Sequence, residues 1–226
     1  KLLERLGNPH LKYPTLHVAG TNGKGSTCAF AASILQAQGI SVGLYTSPHL
    51  LSFRERMKVN GAWISEEALA KIVAEVKPKA LAVTGLTYFE LVTACAFFYF
   101  AQASVEAAVI EVGLGGRWDA TNVLIPKISV ITPVSLDHMP QLGKTIEAIA
   151  REKAGIIKPG VPVVAAPQSP EAREVIAETS ASRGAPLHWV EEEVKVSSLA
   201  VGIEGAVCTF ETPVARYPDL KIPLLG

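Results

Sequence analysis

A series of short apolar runs separated by helical patterns constrains this chain more than any other feature. Thr15–Ala19 and Ser41–Thr46 are β-type runs, and Ala107–Val112, Ile128–Val134 and Val161–Ala165 are nearly continuous in apolar residues. Such runs suit strands buried on both faces. Between them lie helical patterns at Lys24–Gln38, Ser65–Val76, Tyr88–Ala101, Thr145–Ala154 and Ser169–Ser182, the first ending at Gly39 as a C′ residue. This alternation predicts an α/β fold, a mostly parallel sheet flanked by helices. After Pro186 the texture changes. Val194–Ser198, Leu199–Ile203 and Val207–Thr212 are short and punctuated by Gly202 and Gly205. They predict a small antiparallel β element over about residues 187–222, inside a single domain spanning 1–226.

Composition narrows the class. Of 226 residues, 49% are hydrophobic and 19% charged, which allows a substantial core and argues against disorder. Lys+Arg and Asp+Glu both total 21. A neutral balance offers no electrostatic case for nucleic acid or a membrane surface as partner. Cys28, Cys95 and Cys208 are far apart and form no metal-type pair, and three cysteines in 226 residues do not suggest a disulfide framework, which fits a reducing compartment. The N-terminal residues carry no signal-peptide h-region, and Leu91–Ala101 is shorter than the roughly 20 residues a membrane span needs. A cytoplasmic monomer is the expectation.

Gly20-Thr21-Asn22-Gly23-Lys24-Gly25-Ser26 lies between the first run and the first helix. Glycines let such a loop aim backbone N–H groups at phosphate oxygens, helped by the helix N-terminus. Lys24 would reach the outer phosphates and Ser26 a Mg²⁺. The usual Walker spacing is not met, because Val18 stands where its first Gly belongs and Gly25 separates Lys24 from Ser26. The loop is therefore a P-loop variant.

In open parallel sheets, ligands bind beyond the carboxyl ends of the strands. The notable polar residues of this chain fall there: Thr46-Ser47-Pro48-His49, Glu111 before Gly113-Leu114-Gly115-Gly116, and Asp137-His138. Glu111 interrupts an apolar run, so its carboxylate is expected to be desolvated. It needs a cation, either Mg²⁺ or a buried Arg or Lys partner, or must stay protonated. His138 reads equally as a ligand or as a local hydrogen-bonding group. Ser47 alone reads as a cap and His49 as a packed turn residue. Lys153, in the run Arg151-Glu152-Lys153, reads as solvated.

Several blocks in order carry a resemblance. They are Leu6-Gly7-Asn8-Pro9, Tyr13-Pro14 and His17 through Ser26; Thr46–Leu50 with Glu55-Arg56 and Asn60-Gly61; and Leu86–Glu90. Glu111–Arg117 with Asp119–Asn122, Leu136-Asp137-His138 and Arg151–Ile156 follow. From about Leu2 to Pro162 the chain resembles the folylpolyglutamate synthase / dihydrofolate synthase family, a branch of the Mur ligases.

The resemblance implies an ATP-dependent ligase. A substrate carboxylate becomes an acyl phosphate, and L-glutamate attacks it. Asn22, Gly23, Lys24, Gly25 and Ser26 would hold ATP. Ser47, Glu111 and His138, with Ser26, would hold Mg²⁺. Lys153 matches a lysine that is carbamylated and, with Lys24 and His138, would serve catalysis. The dihydropteroate or reduced-folate site would involve Thr87, Tyr88, Phe89, Glu90, Trp118, Asp119 and Ala120. Tyr88, Phe89 and Trp118 would offer stacking faces, the alternative being that Tyr88 and Phe89 only start an apolar helix.

Family members continue with a Rossmann-like domain, which the resemblance places beyond Gly226. Two other readings stand beside this one. The chain is a nucleotide-binding module without catalysis of its own, or it is a peptidoglycan-type Mur ligase.

Overall fold

The structure is a computed structural model that describes residues 1–223. In chain order its elements are α1 (Leu2–Arg5), β1 (Thr15–Ala19), α2 (Lys24–Ala37), β2 (Val42–Tyr45), β3 (Met57–Val59), β4 (Ala62–Trp63), α3 (Glu66–Leu81), α4 (Tyr88–Gln102) and β5 (Ala107–Glu111). There follow β6 (Ile128–Ile131), α5 (Met139–Leu142), α6 (Ile146–Ala154), β7 (Val163–Ala165), α7 (Pro170–Ser182), β8 (Leu187–Trp189), α8 (Val190–Glu193), β9 (Lys195–Gly202), β10 (Gly205–Glu211) and β11 (Arg216–Ile222). Leu224-Leu225-Gly226, which resemble the segment just before the family's interdomain linker, lie outside the described residues.

An eight-stranded sheet has the order β4-β3-β2-β5-β1-β6-β7-β8, with β2, β5, β1, β6, β7 and β8 mutually parallel. The mostly parallel α/β sheet expected from the apolar runs is therefore present. Pleat parity divides its coverings. Leu16, Val18, Leu44 and Val109 face α2, with Cys28 and Ala32. Tyr45, Ala108 and Ile110 face α3 and α4 on the other side. Ala19, Ile131, Val163 and Ala165 share that second side and pack on α6 and α7. Phe97 and Phe100 of α4 are wholly buried, and each contributes about 2 kcal/mol by leaving water.

Departures from the sequence expectation have physical causes. The run at Ile128–Val134 stops pairing at Ile131, because Pro133 cannot donate to a ladder and its carbonyl instead accepts from Thr21 N–H at 2.9 Å. Helix α3 continues through Pro78 to Leu81, where packing on α4 outweighs one lost backbone bond. Beyond Tyr45 a β3–β4 hairpin turns on Asn60-Gly61, both at positive φ (50° and 77°). This Asn-Gly pair is the strongest short hairpin signal a sequence offers. Leu187–Trp189 is not part of the small β element, since it joins the main sheet as β8, parallel to β7. The small sheet is β11-β10-β9, and the two runs at Val194–Ser198 and Leu199–Ile203 are one strand, β9. Among the described residues no helix is long and apolar enough to cross a membrane.

Candidate active site

Strand β1 delivers the chain to Gly20 at the carboxyl edge of the sheet. Gly20 has φ 147°, and a Cβ there would lie 1.8 Å from Thr132 Oγ1, so only glycine fits where β1 meets β6. Thr21 ties the loop to the segment after β6: its N–H donates to Pro133 O, its hydroxyl donates to Ser135 O (3.1 Å), and it accepts from Ser135 N–H (3.1 Å). Helix α2 begins at Lys24, after Gly23 in the left-handed region, and carries no side-chain cap. Its first backbone bond runs from Thr27 N–H to Gly23 O. The amides of Lys24, Gly25 and Ser26 thus form the open positive end of a helix. Asn22, at the mouth of the loop, lies 3.5 Å from Ser135 Oγ through its amide nitrogen.

Lys24 folds back over this loop and donates to Gly20 O (3.1 Å) and Thr21 O (2.9 Å). Lys153, from the last turn of α6, donates to the same Gly20 carbonyl at 2.7 Å. Lys153 is 2% exposed, so the sequence-based picture of a solvated residue does not hold. Helix α6 has turned it inward between Ala150 and Ala154. Desolvation, and then repulsion from Lys24, push its amine down to about 8 against a smaller opposing pull from Asp137. A large share of this lysine is neutral near pH 8, when an ordinary lysine is charged.

Glu111 ends β5, where every residue is buried. It is 4% exposed. Its Oε2 accepts from Ser47 N–H at 2.8 Å. A Cβ on Gly25 would lie 3.6 Å from Oε1, so that oxygen faces the start of α2. Desolvation raises the carboxyl above the ordinary range, opposed by the Ser47 N–H and by the more distant charges of Lys24 and Arg56. No cation forms an ion pair with Glu111 among the described residues. The alternative of a buried Arg or Lys in contact with it is not realised.

Ser47 therefore meets Glu111 through its backbone, while His138 stands apart. His138 is in the left-handed region before α5, half-exposed, with Nε2 3.6 Å from Asp137 Oδ1. No contact among the described residues joins it to Glu111 or Ser47. Nor do three or more His, Cys, Asp or Glu side chains converge as a metal site among them.

Ser47, whose N–H binds Glu111, also borders a groove of about 1210 Å³. Thr87, Phe89, Glu90, Trp118, Asp119 and Ala120 line it, and so does Ser47. Tyr88 does not, and its ring is 64% exposed. The residues on this wall divide by what they touch. Thr87 and Glu90 cap α4 reciprocally: Glu90 Oε2 accepts from Thr87 N–H (2.8 Å) and Oγ1 (2.7 Å), which pulls its carboxyl down. Phe89 lies against Gly113, where a Cβ would come within 2.2 Å of the ring. Trp118 is 86% exposed at the rim.

Asp119 organises the loop after β5. Its Oδ2 accepts from Gly113 N–H (3.1 Å) and Leu114 N–H (2.9 Å), and its Oδ1 from Thr121 N–H (2.9 Å) and Oγ1 (2.5 Å). Thr121 Oγ1, having given its proton to Asp119, accepts from His17 Nε2 at 2.8 Å. Burial, then Lys158, hold His17 down to about 3, so the ring is neutral and carries its proton on Nε2. A chain of hydrogen bonds thus links the strand beneath the phosphate loop to the groove wall. Sequence reading took Asp119 as a ligand contact and passed over this bracing. Arg56, also on the groove, appeared only as part of a block. Its signal was a charged residue immediately before a strand.

The comparisons with known proteins agree with this arrangement. The Mur ligase middle domain model matches residues 18–183. A dihydrofolate synthase/folylpolyglutamate synthase of Bacillus subtilis (strain 168) is 44% identical over 232 residues, covering 100% of this chain and 54% of that protein. A solved folylpolyglutamate synthase–AMPPCP–folate complex superposes with TM-score 0.96 at 43% identity, over 100% of this chain and 56% of the other. The Mycobacterium tuberculosis folylpolyglutamate synthase complexed with ADP and AMPPCP gives TM-score 0.93 at 37% identity, covering 99% and 53%. The chain spans about half the length of the curated relatives it matches. On the matched model and the shared fold, the chain belongs to the Mur ligase middle-domain family, in its folylpolyglutamate and dihydrofolate synthase branch.

Proposed function

We propose that this chain carries the nucleotide and acid sites of an ATP-dependent ligase. The ligase joins L-glutamate to the carboxylate of dihydropteroate or of a reduced folate. The observation that carries the reading is Glu111, a desolvated carboxylate without a cationic contact. It faces an open helix end built for phosphates and is bound by the N–H of Ser47, which borders a groove roomy enough for a pterin.

Glu111 fits Mg²⁺ well, since a hard carboxylate oxygen facing the phosphate loop is what that ion takes. Ser47 and Ser26 hydroxyls and His138 are the other donors proposed, His138 being the least typical of Mg²⁺. When bound, the ion supplies charge neutralisation between phosphate oxygens and the incoming carboxylate. Lys24 and the α2 amides hold the β- and γ-phosphates. The acid's carboxylate oxygen attacks the γ-phosphorus and ADP leaves, giving an acyl phosphate. The glutamate amine then attacks the acyl carbon, phosphate departs, and the nitrogen loses a proton. Positioned positive charge is what accelerates such transfers. Lys153 is proposed to be carbamylated: its neutral amine adds CO₂ and releases a proton, which turns a buried cation into a carboxylate-like group beside the phosphate loop.

The related solved complexes contain AMPPCP and, in one case, folate, which supports both substrates. The expected result is phosphate release that requires ATP together with dihydropteroate or a reduced folate and L-glutamate. Release with UDP-muramoyl substrates and none with pterins would move the chain to the peptidoglycan branch. Because the chain covers about half of its relatives, a second reading is a nucleotide-binding module that turns over only within a longer protein. Nucleotide binding without turnover by this chain, and activity in a longer form, would establish it. A monomer in the cytoplasm, its three buried cysteines reduced, completes the proposal; sedimentation would test the monomer.

A further inference from the structure

Arg56 is 9% exposed and lines the groove with Ser47 and Thr93. Three local features fix its position. Ser52 and Glu55 cap the short turn Phe53–Arg56 reciprocally, Arg56 O accepts from Thr46 N–H at 3.2 Å, and Arg56 Nε donates to His49 Nδ1 at 2.8 Å. His49 is itself held edge-on to Phe53, ring centroids 6.0 Å apart.

This geometry leaves a buried charge half used. A guanidinium has five N–H donors, and His49 takes the one on Nε. The Tyr45 hydroxyl is within side-chain hydrogen-bonding reach of the guanidinium, and Glu111 feels its charge from farther off, yet among the described residues no carboxylate forms an ion pair with Arg56. A buried cation without an anionic partner is costly, and fixing Nε against His49 leaves the Nη edge without a carboxylate partner among the described residues. That edge has the spacing of a carboxylate or phosphoryl group.

The geometry points to Arg56 as the receptor for the carboxylate of the acid substrate, holding it beside Ser47 and Glu111 before and after it accepts the phosphoryl group. The anion comes from the groove and not from the nucleotide. Arg56 lines the groove with Thr87 and Trp118, whereas Lys24, Gly25 and Ser26 do not. His49 is the positioning residue that orients the fork. The inference deepens the folate-ligase reading and rests on it for the identity of the acid.

The test is equilibrium binding without nucleotide. It compares pteroate with its neutral carboxamide, and 4-acetamidobenzoate with its amide, on wild type, Arg56→Gln and Arg56→Lys, with thermal midpoints as the fold check. The wild type is expected to prefer each acid over its amide about 30-fold, from a bidentate charged contact in a dry site. Arg56→Gln is expected to lose the preference, and Arg56→Lys, which keeps the charge but not the fork, to retain a few-fold. A preference that survives in Arg56→Gln at a wild-type midpoint overturns the inference and leaves the folate reading standing. Aryl acids that bind through Arg56 while no pterin binds support the receptor and remove the folate. No Arg56-dependent preference for either acid overturns the receptor. Should Arg56→Gln fail to fold, an undiminished preference in Arg56→Lys overturns it as well.

Discussion

The two sides of Glu111 are built differently. Toward the nucleotide, Gly20 to Ser26 is one continuous stretch, shaped by the end of β1 and the start of α2, and braced from a distance by Lys153 and the segment Thr132–Ser135. Toward the groove, α1, the segment around Ser47 and Arg56, the start of α4, the loop after β5 and the end of α6 all contribute. The local side rests on backbone amides and so depends on glycine spacing. The distributed side rests on side chains whose positions are set by packing. Glu111 is the seam, and its cost is borne where the two meet.

Substitutions on either side should separate these halves. The largest effect is expected from Lys153→Ala, which should lower turnover by about 10³-fold through lost charge placement at the phosphoryl group. Short carboxylic acids added to the assay should restore part of the rate, and a variant as active as wild type would end the carbamate proposal. The pH dependence has a definite sign. With the amine held to about 8, the neutral form that takes up CO₂ grows as pH rises through that value. Bicarbonate should therefore stimulate more at pH 8.5 than at pH 7, whereas an ordinary lysine would respond only above roughly 10.

Lys24→Ala comes next. It should weaken ATP about 100-fold, the size of a strong charged contact, while pteroate affinity stays within about twofold. Parallel titrations of both ligands would show whether the two sides are energetically separate. A matching loss of pteroate would mean that the seam couples them.

Glu111→Gln probes the seam itself. Mg²⁺-dependent tightening of nucleotide binding should disappear. Stability at neutral pH should rise by about 1 kcal/mol, as removing an active-site charge often does. The sign follows from the raised carboxyl: its buried charge opposes folding above the ordinary carboxylate range, and that opposition fades as the group protonates on acidification. A lower thermal midpoint in the variant would show that the charge is compensated within the fold.

Gly113→Ala should cost about 1–3 kcal/mol by overpacking against Phe89, read as a lower thermal midpoint and a weaker pteroate site with ATP binding retained. The smallest effect belongs to Trp118→Ala. At 86% exposure the ring adds little to stability, within about 0.5 kcal/mol, but loss of stacking should weaken pteroate by roughly 1 kcal/mol. Unchanged affinity would remove Trp118 from the substrate site.

Legibility followed the same division. The parallel sheet was readable because strands buried on both faces must be nearly continuous in apolar residues, and β5 is the clearest case. The phosphate loop was readable because backbone amides need only glycines and a following helix. Lys153 was misread as solvated, because a charged run looks exposed until α6 turns one member inward. The Asn60-Gly61 hairpin was legible yet passed over, and Leu187–Trp189 was assigned to the small sheet, because a three-residue strand carries no sign of its partner.

The sequence by itself determined the sheet, the helix that opens on phosphates, and a carboxylate placed where a carboxylate is costly. All three follow from local periodicity and from chemistry readable one residue at a time. Tertiary structure alone decided that Asp119 braces a loop through Thr121 to His17, that Lys24 and Lys153 share the Gly20 carbonyl, and that Arg56, held at Nε by His49, lines the groove. Each of these depends on distances between segments far apart in the chain. Burial, which sets the protonation of Lys153, Glu111 and His17, exists only once those segments have packed.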